Sequence, residues 1–334
     1  MTGEELRAYR ESRQLGQQEF AQYLNEKLNR KYDRNKISRW ETGGEKVPDV
    51  VEMLLRERQH KPPRAARAQV VAIANQKGGV AKTTTSLNVA YLLAKDGVRV
   101  LVVDCDPQGS ATIHLGVRPD RCDAEGKTLA HMLDTDLPTV DAIVPVCDGL
   151  FDLVPSSISL ADTEAKLTSD PTGGLALGNK LEEVGDRYDI IILDCPPNLG
   201  LMSVSGLIAA DGLVIPCQTE MLSVMGLTGL LKTVSRVRRR TKHPLAMIGI
   251  VPTLFNARRS ADQEMLRHME QFAKNSGYRL FTPVRDVADY GKAVMDGKVA
   301  VQLSPNVAGA ETYAEIAQAI TGALLSKEAV DAAA

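Results

Sequence analysis

The chain has 334 residues, 44% of them hydrophobic and 25% charged, with a formal net charge of −2. That is the composition of a globular protein of two or so domains, each able to bury a core. Five cysteines without C-x-x-C spacing (Cys105, Cys122, Cys147, Cys195, Cys217) and five scattered histidines exclude a disulfide framework and a zinc knuckle. No run of 18 apolar residues occurs and the start, "MTGEELRAYRESR", is charged, so neither a membrane span nor a signal peptide is expected and the reading is cytoplasmic. Charge is uneven: residues 1–68 hold 15 Lys and Arg against 11 Asp and Glu, whereas the whole chain holds 40 against 42. A basic head on an acidic body hints at nucleic acid.

In chain order, residues 1–58 predict short helices. Leu6, Tyr9 and Arg10 open an amphipathic pattern, and "QQEFAQYLNEKL" continues one with Phe20, Ala21, Leu24 and Leu28 on a face. "RNKISRWETG" follows, then "VPDVVEMLLRER" with Pro48 at a helix start. "HKPPRAARA" marks a linker over 59–69. From residue 70 the texture alternates. Apolar runs at 70–75, 98–104, 151–155, 188–194, 212–217 and 247–253 predict parallel strands covered on both faces. Helices are expected near 83–95, 175–186, 202–210, 222–240, 260–276 and 309–325. Residues 70–326 therefore read as a doubly wound α/β domain, mostly parallel, with its ligand at the carboxyl ends of the strands, followed by a flexible tail over 327–334.

The stretch "NQKGGVAKTTT" (75–85) lies between the first strand and its helix, which is where a phosphate loop belongs. Backbone N–H groups over Gly78, Gly79, Val80, Ala81 and Thr84 and the helix N-terminus would face the anion. Lys82 would neutralise phosphate charge and Thr83 would ligate Mg²⁺. The common G-x-x-x-x-G-K-[ST] pattern is not met, because Gln76 and Ala81 occupy its glycine positions; K-G-G-x-x-K-T-[ST] is. With that deviant Walker A motif the chain resembles the ParA/MinD superfamily of P-loop ATPases over about residues 70–325. "VLVVDCDPQGSAT" (100–112) places Asp104 and Asp106 one residue apart at a strand end, suited to organising Mg²⁺ waters and an attacking water. The resemblance assigns hydrolysis to Asp106. It makes Asp194, in "YDIIILDCPPNLG" (188–200), a Walker B carboxylate that, like Asp104, holds Mg²⁺ through water.

The same resemblance explains the second lysine. Lys77 is expected to reach across an ATP-sandwich homodimer to the phosphates held by the other subunit, supplying the charge that other NTPases take from an arginine finger. Ala81 stands where many relatives have glycine and is expected to be harmless at a negative φ. "PTLFNARRS" (252–260) and "PVRDVADYGKA" (283–293) make Asn256, Pro283 and Asp286 candidate adenine contacts.

Two DNA contacts are expected. The N-terminal segment resembles the Cro/repressor helix-turn-helix, with "QQEFAQYL" (17–24) as first helix and "RNKISRWETG" (34–43) as recognition helix. Ile37 and Trp40 would pack inward, Arg39 and Asn35 would read base edges with Ser38 beside them, and Gln17 and Lys36 would touch phosphates. The intervening "NEKLNRKYDR" makes the turn longer than usual. The ATPase part is free of acidic residues from Met221 to Ala261 but carries eight lysines and arginines there if His243 is left aside. Arg236, Arg238 and Arg258 are its candidate contacts to DNA without sequence preference. The reading is therefore an ATP- and Mg²⁺-dependent partition ATPase of plasmid or chromosome. It would be nucleoid-associated, with ADP as product and a centromere-binding protein stimulating hydrolysis, and would repress its own operon through the helix-turn-helix of the N-terminal domain. The alternative is a nucleotide-gated transcriptional regulator. A membrane-bound division regulator would need a basic amphipathic C-terminus, which "GALLSKEAVDAAA" lacks, and an iron–sulfur carrier would need paired cysteines.

Overall fold

The computed structural model describes residues 2–12, 15–28, 30–48, 51, 67–241 and 244–325. The chain forms two compact units, Met1–Lys61 and Pro62–Ala334. Most of the helix expected after Pro48, the linker as far as residue 66 and the C-terminal tail lie outside the described residues.

The first unit holds α1 (Gly3–Ser12), α2 (Gln17–Leu28) and α3 (Arg34–Glu41). Their apolar stripes meet in one cluster: Leu6, Phe20, Ala21, Leu24, Ile37 and Trp40 are all buried, joined by Val47 and Val51. Tyr32 sets its ring edge-on to Trp40 at 5.0 Å. Gly3 is where α1 starts against the end of α3, and a Cβ there would lie 2.3 Å from the Trp40 carbonyl. Glu41, only 5% exposed at its side chain, accepts from Arg10 Nε at 2.6 Å and Gln17 Nε2 at 2.8 Å, tying all three helices together. Asp33 caps α3 by accepting the Lys36 N–H at 2.8 Å. The long turn expected between the helices is corrected: "NEKL" continues α2 to Leu28, so only residues 29–33 connect it to α3.

The second unit is built on a seven-stranded sheet: β1 (Gln69–Ile73), β2 (Val100–Asp104), β3 (Val144–Val146), β4 (Phe151–Val154), β5 (Ile190–Asp194), β6 (Gly212–Gln218) and β7 (Ala246–Thr253). The order across it is β3-β4-β2-β5-β1-β6-β7, all parallel except β3, which runs antiparallel to β4. The six long apolar runs are its six parallel strands. β3 carries Pro145 and is only three residues long, a combination tolerated at a sheet edge and invisible as a periodic signal.

Successive residues of each central strand feed opposite layers, as a pleat requires. Ala72, Leu101, Val103, Ile191, Leu193 and Leu213 face one core cluster; Val71, Ile73, Val100, Val102, Ile190 and Val214 face the other. Helices α4 (Lys82–Lys95), α5 (Ser110–His114), α6 (Pro119–Ala124), α7 (Leu129–Asp134), α8 (Ser159–Thr168), α9 (Ala176–Glu182), α10 (Leu201–Ala209), α11 (Met221–Thr241), α12 (Ser260–Ser276), α13 (Ala288–Met295), α14 (Ala300–Leu303) and α15 (Ala310–Ile320, ending in a π turn, Thr321–Leu325) complete the unit. Leu177, Leu207 and Leu230 of α9, α10 and α11 cover the first face, while Leu87 of α4 and Ile316 of α15 cover the second. Both faces are thus closed, the condition for a parallel sheet. Among the described residues no helix is long and apolar enough to cross a membrane.

Strand order puts β1 between β5 and β6, with Ile73 opposite both Asp194 and Val214, and Asp104 opposite Asp194. The loop after β1 therefore emerges where neighbouring connections diverge, the expected position of a ligand crevice.

Candidate nucleotide site

The loop between β1 and α4 is braced from below. Asn75, buried, donates from Nδ2 to the Pro216 carbonyl at 2.6 Å and accepts the Lys77 N–H on Oδ1 at 3.2 Å. Thr253, at the end of β7, donates its hydroxyl to the Val80 carbonyl at 3.0 Å. Gly78 passes Pro197, its Cβ position 3.7 Å from that ring, so the loops after β1 and β5 lie side by side. α4 begins without a side-chain cap and without an acid in its first turn. Its first N–H groups and the positive end of its dipole are thus presented to an anion.

Ala81 corrects the expectation of a harmless residue. Its φ of 62° and ψ of 34° are left-handed, as is the φ of 71° at Gly79. A side chain at such a position costs about 1–2 kcal/mol because Cβ crowds the following carbonyl. The loop keeps the conformation because Asn75, Thr253 and the start of α4 determine it from three sides. Ala81→Gly should therefore stabilise the protein by about 1 kcal/mol, allowing for the entropy glycine adds to the unfolded chain. The check is a higher urea midpoint at unchanged m-value; a lower midpoint would contradict the strain.

Lys82 is 7% exposed, and its ammonium donates to the Lys77 carbonyl at 3.0 Å. Burial depresses its proton affinity, opposed by the Asp194 and Asp106 carboxylates. A cation kept in a partly dry crevice interacts strongly with any anion that enters. Asp194 accepts from the Thr83 hydroxyl at 2.7 Å and the Ser86 hydroxyl at 2.8 Å, both on α4. Burial pushes its carboxyl up to about 6 while those two donors and Lys82 pull it back.

Asp104 is fully buried, and burial together with the neighbouring Asp194 charge pushes it up to about 7. It accepts the Thr112 N–H at 2.8 Å, the Thr112 hydroxyl at 2.7 Å and the Asp106 N–H at 3.2 Å. The sequence pairs Asp104 with Asp194 as a carboxylate reaching a metal through water. In the structure Asp104 is buried opposite Asp194, and its bonds to Thr112 and to the Asp106 N–H shape the turn that presents Asp106. Asp106 itself is half-buried, and its Oδ1 accepts the Gln108 N–H at 3.0 Å. It lies near enough to Lys82 and Asp194 to shift both.

Lys77 points elsewhere. Its ammonium pairs with the Glu220 carboxylate and lies 3.3 Å from Gln218 Oε1, at the end of β6 and the start of α11. One loop thus carries two cations aimed in different directions, Lys82 into the crevice and Lys77 over its rim. Asn256, Pro283 and Asp286 come together on adjoining loops. Phe255 donates to Val284 at 3.0 Å and Asp286 to Phe255 at 3.4 Å, while Asp262 accepts from Asn256 N–H at 2.9 Å and Thr219 Oγ1 at 3.1 Å.

The sequence reading missed Asn75, Thr253, Ser86, Thr112 and Glu220. Asn75 and Thr253 were detectable as polar residues closing apolar strands at the loop end of the sheet. Ser86 stands one helical turn after Lys82, the spacing at which a second hydroxyl meets the same strand end.

Of the DNA candidates, Asn35 and Arg39 are exposed on α3 and Ser38 is half-exposed. Gln17 is held by Glu41, and Lys36 and Arg39 both pair with Glu45. On α11 the sequence groups Arg238 with Arg236, and the structure separates them: Arg238 turns back to donate to the Leu245 carbonyl, whereas Lys232, Arg236 and Arg239 line one exposed face. Arg258 is exposed in the loop after β7.

Residues 68–247 match the family described as an AAA domain. The chain is 36% identical over 252 residues to the sporulation initiation inhibitor protein Soj of Bacillus subtilis, covering 75% of this chain and 98% of that one. It belongs to the ParA/Soj family of partition ATPases. The chromosome-partitioning ATPase Soj of Thermus thermophilus is similar to the same degree, 36% over 257 residues, covering 76% of this family member and 96% of its own length. Among solved structures, a cobyrinic acid a,c-diamide synthase from Mycobacterium smegmatis with bound ATP analogue and magnesium superposes with a TM-score of 0.63 at 33% identity, covering 75% of this chain and 93% of that one. The AAA-domain match begins at residue 68, after the N-terminal helical unit.

Proposed function

We propose that the chain is a Mg²⁺-dependent partition ATPase that dimerises on ATP and binds DNA in two ways. The observation that carries this reading is the divergence of the loop's two lysines. Lys82 lies near Asp194, whereas Lys77 turns away to Glu220 and Gln218, a direction that suits contact with a second copy. The N–H groups of Gly78 to Thr84 and the Lys82 ammonium hold the β- and γ-phosphates of ATP. Thr83 and Asp194 are the residues that would hold magnesium, the carboxylate through water. Magnesium, when bound, neutralises phosphate charge and orients the nucleotide for in-line attack. Asp106 holds the attacking water, and Lys77 of the opposite copy stabilises charge developing on the γ-phosphate. Asn256, Pro283 and Asp286 border the adenine.

The raised carboxyls give this site a pH signature. Burial raises the Asp104 and Asp194 carboxyls above the usual range without ligand, and a divalent cation beside Asp194 favours the ionised form. Mg·ATP binding should therefore release protons at pH 6.5 and tighten by up to about tenfold between pH 6 and 8, levelling off above that. Calorimetry in two buffers of different ionisation enthalpy reads the release. Equal apparent enthalpies in the two would count against it.

DNA association without sequence preference is assigned to Lys232, Arg236 and Arg239 on α11 with Arg258. Phosphate contacts of this kind give a steep salt dependence. The N-terminal unit would serve as a helix-turn-helix that binds the protein's own operator, with a centromere-binding protein stimulating turnover. Its exposed Asn35 and Arg39 also favour the second reading, a nucleotide-gated transcription regulator. Gel shifts on random and upstream duplexes with ADP, ATP and a slow analogue separate the two. Salt-sensitive binding to random DNA only with ATP is the expected outcome. Strict selectivity for upstream DNA in every nucleotide state would replace partition with regulation.

A further inference from the structure

Beside the described charges of α3 lies an anion that neither the ATP site nor the three-helix core uses. Glu45 lies just past the end of α3, in the turn before Val47. Its carboxylate pairs with the Lys36 ammonium and accepts from Arg39 Nη1 at 2.9 Å. These are two residues by which α3 would hold DNA, so the same pair of cations has an internal partner already in place. The contrast with Glu41, four residues earlier, is informative. Glu41 is buried and joins α1, α2 and α3, whereas the Glu45 side chain is about one-third exposed and its carboxylate meets only those two cations among the described residues, its backbone N–H donating to the Arg39 carbonyl at 3.2 Å. The two donors hold its carboxyl below the usual range, so it remains an anion.

We propose that Glu45 is a specificity-determining residue: an intramolecular stand-in for a DNA phosphate that occupies Lys36 and Arg39 until duplex DNA displaces it. The inference rests on the reading of α3 as a DNA-binding helix. A backbone phosphate offers these cations what the carboxylate already offers, so exchanging one anion for the other gains little. A site that also offers base edges to Asn35 and Arg39 gains more, because a bidentate base contact adds discrimination that a carboxylate cannot supply. Non-specific affinity is suppressed more than specific affinity, so the ratio between them rises.

The test uses the full-length protein without nucleotide and a random-sequence duplex of about 30 base pairs. Its affinity is measured by fluorescence anisotropy across a salt series, with the DNA upstream of the gene as second probe. Glu45→Gln should bind the random duplex about tenfold tighter at low salt, and the log–log salt slope should steepen by about one to two, as expected when two cations become available to phosphates. Affinity for upstream DNA should rise less. In a Lys36→Ala/Arg39→Ala background, Glu45→Gln should change nothing, since its effect runs through those two side chains. Damage to the fold would weaken binding, the opposite sign. If Glu45→Gln leaves random-duplex affinity unchanged or lowers it while Lys36→Ala/Arg39→Ala weakens binding, the stand-in role is wrong and the DNA-binding helix stands. An equal gain in the double-alanine background would reduce Glu45 to long-range repulsion and overturn the inference. If neither the double alanine nor Glu45→Gln alters binding to either DNA, both the inference and the reading of α3 fall.

Discussion

Lys77→Ala should bind Mg·ATP within about threefold of the parent protein yet form no ATP-dependent dimer, and its turnover should fall by at least about 100-fold. That floor is set about tenfold below the smallest contribution of a trans-acting arginine to phosphoryl transfer, about 10³. The substitution leaves the crevice intact. The backbone carbonyl that receives Lys82 and the N–H that meets Asn75 both remain, because they belong to the main chain of residue 77. What disappears is the pair with Glu220, whose side chain is 42% exposed and can be solvated instead. Exposed pairs of this kind contribute about 0–1 kcal/mol, so neither folding nor nucleotide binding should suffer. The same small magnitude lets Lys77 leave Glu220 when a second triphosphate is offered across an interface. Light scattering on a sizing column with a slow ATP analogue reads the assembly state. Dimers of parental affinity, or parental turnover by monomers, would remove Lys77 from the mechanism.

Much of this architecture was legible in the sequence, and the exceptions have identifiable causes. The six parallel strands announce themselves because a strand buried on both faces must be apolar at nearly every position, as "IIILD" is at β5. The phosphate loop is legible because few sequences place two lysines and two glycines between such a strand and a helix. β3, the short helices α5 to α7 and α14 were missed because elements of three to six residues carry no complete period, and α8 and α13, of ten and eight residues, were missed as well. The turn before α3 reads as long only if "NEKL" is counted in it, whereas the apolar pattern through Leu28 already carries α2 over those residues. At the site, residue type suggested the chemistry but not the direction each side chain takes. Asp104 and Asp106 look equivalent one residue apart, and only the fold shows the first bonded to Thr112 and the second at the crevice. Ala81 is the instructive departure. A rule read from glycine's absence pointed to an ordinary φ, whereas bracing by Asn75 and Thr253 retained the left-handed turn and accepted the strain.

Asp106→Asn should separate assembly from chemistry in the direction opposite to Lys77→Ala. Asparagine keeps the oxygen that accepts the Gln108 N–H, so the turn after β2 is preserved. It also keeps the size of the group. What it loses is the negative charge that, in the proposed mechanism, accepts or orients the proton of the attacking water, a contribution of about 10²–10⁴ in rate. The same charge raises the proton affinity of Asp194. Without it Asp194 ionises more readily, so Mg·ATP should bind as tightly as before or slightly tighter. The expected protein is a dimer that forms with ATP itself, persists because the nucleotide is not consumed, and remains on DNA where the parent cycles off. Rapid-quench measurement of phosphate release alongside light scattering distinguishes this from simple loss of binding. If Asp106→Asn is instead monomeric in ATP, Asp106 acts in assembly and the attacking water is held by another group.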